Sequence, residues 1–81
     1  MSDHTKNAID AELAVLASIE ARYWDERATL ERSAMPPSVN EHLRQQLEAR
    51  RNTAREPHVL QVAKLHEEAM MRTMFSARIS Y

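Results

Sequence analysis

The two residues in this chain best spaced for nucleophilic chemistry are Ser38 and His42, four apart and so on one face of any helix that carries them. A serine nucleophile also needs a group that orients the histidine and donors that receive an oxyanion. No third group is placed to orient His42, and the chain has no glycine from which to build a tight donor-bearing turn. Ser38 has a better use as a helix N-cap, with Glu41 three places on at capping-box spacing. The paired carboxylates, Asp25-Glu26 and Glu67-Glu68, are sequence neighbours, and neighbours on a helix diverge by about 100°. They cannot share one proton or one ion.

Metal binding is equally poorly served. Di-iron helical bundles use a Glu-x-x-His spacing, and no histidine here has a glutamate three residues before it. His58 and His66 are eight apart, about 12 Å along a helix, and there is no cysteine. His66 shares a helical face with Val59, Ala63 and Met70, and is expected half-buried at an interface edge. Phosphate-cradling loops need glycine for close backbone approach. The expectation is a protein that is not an enzyme and holds no cofactor or metal.

The remaining charged constellation is basic. Arg44, Arg51 and Arg55 share one helical face, with Arg50 beside it, and would give a small regulator its grip on nucleic acid. Against this, Glu48 lies on the same face and no aromatic residue interleaves to stack on bases. The whole chain carries 11 basic and 12 acidic residues, net −1. A solvated or partner-pairing face is the stronger expectation, and nucleic acid the alternative.

The elements that position these residues follow from composition. With no glycine, and prolines only at Pro36, Pro37 and Pro57, the chain must be helical and broken where proline breaks it. A first helix is expected over 3–33, with Ser2 or Asp3 as its N-cap. Ile9, Leu13, Leu16, Tyr23 and Leu30 lie on one face, interrupted by Glu20 and Arg27, and Ala14, Ala17, Ala21 and Ala28 lie opposite. Met35-Pro36-Pro37 ends it, because a residue before proline is pushed out of the α region. A second helix is expected over 38–52, capped by Ser38, with Val39, Leu43, Leu47 and Ala54 as its stripe. Asn52 and the Thr53/Glu56 spacing favour a break before a third helix over 54–78, over a single helix kinked at Pro57.

The fold expected is one small all-α domain over 1–81, an antiparallel helical hairpin or three-helix arrangement turning at Pro36-Pro37 and completed by oligomerisation or a partner. A chain of 81 residues buries only about 60% of its surface on folding. Of its 35 hydrophobic residues, 12 are alanine, so the core is lean. The third helix carries Val59, Val62, Ala63, Met70 and Met74 on one face, Leu60, Met71 and Phe75 on another, and Leu65 on a third. An element apolar on several sides calls for burial on several sides. Methionine adapts to irregular apolar surfaces, and tyrosine and tryptophan serve as anchors. Tyr23, Trp24, Val59, Met70, Met71, Met74 and Phe75 are therefore the expected partner-binding residues, with Glu20, Arg27, Arg44, Arg51 and Arg55 as charged contacts.

The function expected is a non-catalytic protein–protein interaction module, a small adaptor, chaperone or assembly subunit. Residues 1–10 show no apolar core of a signal peptide, and no 18-residue apolar run suggests a membrane span, so the chain is expected in the cytoplasm. In size, central proline turn and helix-turn-helix layout it resembles in shape the small needle subunits of type III secretion and their chaperones, a further alternative that carries over no residues.

Overall fold

A computed structural model describes the backbone from Asp3 to Ile79 and the side chains as far as Phe75. It consists of two helices, α1 (Asp3–Arg32) and α2 (Pro37–Ile79), packed against each other as a hairpin. The molecule is a rod of 68 × 18 × 12 Å, so no residue is far from solvent. Among the described residues no side chain is fully buried.

The turn is held by a single acceptor. The Leu30 carbonyl, near the C-terminal end of α1, receives the Ser33 N–H at 3.1 Å and the Ser33 hydroxyl at 2.6 Å. It also receives the Asn40 side-chain amide at 3.2 Å, from the first turn of α2. A helix end leaves its last carbonyls without intrahelical donors, and here the second helix supplies one of them. Asn40 thus ties the start of α2 to the end of α1. Pro37 stands at the first helical position, where its missing N–H costs nothing, and the Asn40 N–H bonds to the Pro36 carbonyl at 3.0 Å. The helix therefore begins one residue before the expected Ser38 cap, and Ser38 lies inside its first turn. Asp3 is already helical, and Ser2, the other expected cap of α1, lies outside the described residues.

The two rods meet along residues three and four apart. Tyr23, Leu30 and Leu47 form the buried cluster, with Leu43 packed against it; Thr5 and Ala69 are buried towards the open end. Ile9, Leu16, Ile19, Val62 and Leu65 are half-buried along the same seam. Leu13, Val39 and Ala54, expected on the packed stripes, are exposed, because two rods cover only a narrow strip of each other.

The expected break into a third helix does not occur: α2 runs unbroken through Pro57. An interior proline removes the N–H that would serve the Thr53 carbonyl and its ring crowds that carbonyl, at about 3 kcal/mol. Two features offset the penalty. The Pro57 ring lies on the exposed side of the helix, and the flanking residues are both anchored to α1, Arg55 to Glu20 and His58 to Glu12. Both anchors lie beyond Thr53, so turning the chain there would displace both. It follows that the second half of α2 has a single neighbouring helix and not the several expected.

Candidate protein-interaction surface

The seam settles which way each helix faces. Taking about 100° per residue, Leu13 and Trp24 of α1 lie to one side of the seam, and Val59 and Met70 of α2 lie to that same side. Glu20 points the same way, and its carboxylate meets Arg51 at 3.8 Å and Arg55 at 3.3 Å. Leu60 and Met71 project from the back of α2, away from α1, while Met74 and Phe75 lie beyond the Thr5–Arg72 contact that marks the open end of the hairpin. Val59, Leu60, Met70, Met71, Met74 and Phe75 are all exposed, Phe75 to 66%. The apolar surface thus wraps the C-terminal half of α2 on its flank, its back and its tip.

Tyr23 and Trp24, adjacent in sequence, separate in space. Tyr23, expected at a partner surface, turns inward and is only 4% exposed, at the centre of the hairpin core. Its ring carries the Arg51 guanidinium at 4.3 Å, and its hydroxyl lies within 3.5 Å of Glu48 and 3.4 Å of Arg27. The side-chain hydrogen bond to Tyr23, assisted by Glu31, holds the Arg27 guanidinium above its usual pKa. Trp24 is 54% exposed, with its ring edge-on to Tyr23 and Arg27 5.1 Å above it. Trp24 keeps an accessible face; Tyr23 does not.

The basic face is occupied from within the chain. Arg51 and Arg55 share Glu20, Arg50 lies 3.7 Å from Glu26, and Arg44 pairs with Glu41. The Nε atoms of Arg44 and Arg51 are covered and make no hydrogen bond, and the covered Nε of Arg55 faces Glu20, so the side-chain stems lie along the helices. Glu20 and Arg27, the polar breaks expected in the apolar face of α1, serve the intramolecular seam. No residue spacing marks the His58–Glu12 contact, 2.6 Å between Nδ1 and Oε2, because its partners are 46 residues apart. No local signal marks Asn40 either; only the finished turn shows its use.

On the side of the hairpin opposite Leu13 and Trp24 lies an open groove of about 390 Å³, floored by Val15, Ile19, Leu47 and Ala54 and edged by Arg22, Glu26 and Arg50. Its only hydroxyl-bearing residues are Ser18 and Tyr23, and neither has a histidine beside it. His42 pairs with Gln46 at 3.2 Å, and His66, expected half-buried, is exposed because no third element covers its side of α2. Among the described residues no group of three or more His, Cys, Asp or Glu is placed to hold a metal ion. No helix among them is long and apolar enough to cross a membrane. No protein-family model, curated protein or solved structure matches the chain.

Proposed function

We propose that the chain is a non-catalytic protein-binding module that works through the C-terminal half of α2. The observation that carries this is the exposure of Leu60, Met70, Met71, Met74 and Phe75 on a segment with one neighbouring helix. Covering a large apolar side chain contributes about 1.5–3 kcal/mol when it passes from fully exposed to fully buried. Five residues already about one-third to one-half covered retain about 5–9 kcal/mol of that in all for a partner that covers them fully. Three methionines among them give a surface that adapts to its partner's contour. Trp24 lies apart on the same side as Met70 and extends the contact along the rod.

The arginine pairing supports this over nucleic-acid binding, because each of Arg44, Arg50, Arg51 and Arg55 already faces a carboxylate. The test uses the tagged full chain recovered under native conditions from its own cell, its mass read by size-exclusion chromatography with light scattering. Met70→Asp or Phe75→Asp is expected to collapse the assembly to the 9.4 kDa chain, whereas His42→Ala leaves it intact. Wild-type chain recovered only as a folded monomer refutes the proposal.

A further inference from the structure

The back of α2 carries a second pattern at helical spacing: Leu60, Lys64, Glu67 and Met71. At about 100° per residue the four fall within an arc of roughly 60°. They lie opposite the side on which Val62, Leu65 and Ala69 meet α1. Leu60 is 61% and Met71 63% exposed. Neither Lys64 nor Glu67 forms an ion pair among the described residues. The order apolar, basic, acidic, apolar is complementary to itself when read in reverse.

We infer that the occupant of this surface is a second copy of the chain, docked α2 against antiparallel α2 across Leu60, Lys64, Glu67 and Met71. The inference rests on the proposal that this half of α2 binds protein. A two-fold axis passing between Leu65 and His66 sets Leu60 against Met71 of the second copy and Lys64 against its Glu67, twice over. Charges in a helical seam fix orientation in this way, and a parallel pairing would place Lys64 on Lys64 and Glu67 on Glu67. The same register brings Pro57 opposite Met74 and overlaps the two helices over 52–79, about 42 Å.

The surface area agrees with such a pairing. The chain exposes 6460 Å². A compact monomer of 9.4 kDa exposes about 5,000 Å². If each copy covers the difference, the interface totals about 2,900 Å², within the range of obligate homodimers.

The experiment is sedimentation equilibrium of the full chain, unmodified, as Lys64→Glu, as Glu67→Lys, and as the double swap. Circular dichroism confirms helicity in each, since both positions are exposed. The expected result is a wild-type dimer whose dissociation constant rises at least about tenfold in either single variant and returns to within about threefold in the double. Because the chain lacks cysteine, a mixture of Leu60→Cys and Met71→Cys chains gives a second measurement. Antiparallel register predicts the mixed disulfide in preference to either like pair. A monomeric wild type, single swaps without effect, a double swap that fails to restore the dimer, or like-paired disulfides each overturn the inference. A monomer that nonetheless loses a different protein partner on Met70→Asp overturns the second copy while leaving the binding-module proposal standing.

Discussion

Replacing Pro57 with alanine distinguishes two architectures by the sign of its effect. In a continuous α2 the proline is interior: the Thr53 carbonyl lacks its donor, and alanine restores it. The interior penalty of proline relative to alanine is about 3 kcal/mol. The ring lies on the exposed side of the helix, so its removal forfeits little packing, and the expected gain is about 2–3 kcal/mol. For a domain of 60–100 residues each kcal/mol moves the midpoint by about 4–8 °C, so the transition should rise by about 10–20 °C. If instead α2 were two helices meeting at Asn52, Pro57 would lie in the first turn of the second. Alanine there would cost about 0.4–1 kcal/mol by loosening the unfolded chain. Thermal unfolding followed by circular dichroism at 222 nm, at matched protein concentration, reads the sign directly. A lowered midpoint for Pro57→Ala refutes the continuous helix, and with it the account of why the back of α2 is uncovered.

Four further outcomes follow from the hairpin's packing. Leu47→Ala removes one of the few buried side chains and should cost about 2–3 kcal/mol in urea unfolding, the low end for buried leucine because the cavity opens to solvent. Leu13→Ala, at a site 48% exposed, should stay within about 0.5 kcal/mol. Asn40→Ala removes the cross-turn donor to Leu30 and should cost about 1 kcal/mol, with no loss of helix content at low temperature. A double-mutant cycle on Glu12→Gln and His58→Ala should show a coupling of about 0.5–1.5 kcal/mol, whereas the same cycle on Glu31 and His58, which do not touch, should show none.

Much of the architecture could be read from residue types. The absence of glycine and the Met35-Pro36-Pro37 break gave two antiparallel helical arms, and the periodicity of Ile9, Leu16, Tyr23 and Leu30 gave the packed side of α1. What misled was the weight given to local signals around Pro57. Asn52, Thr53 and Glu56 have the chemistry of a helix boundary, yet the boundary is overridden by contacts that only the fold creates, Arg55 with Glu20 and His58 with Glu12. Ser38 shows the same effect on a smaller scale, because Pro37 already satisfies the first helical position. Tyr23 and Trp24 could not be separated by residue type, since both suit a hot spot; a rotation of about 100° sends one into the core and leaves the other outside. The exposure of Met70, Met71 and Phe75 was foreshadowed by an apolar pattern too wide for two thin rods to enclose.

Partner binding through the second half of α2 can be read in place by putting a benzophenone amino acid at Met70 and irradiating the living cell that makes the chain, with Gln45 as an exposed control outside the apolar surface. A discrete covalent protein adduct is expected from position 70 and none from position 45. Irradiation that leaves position 70 as free as position 45, with the chain folded and abundant, contradicts it.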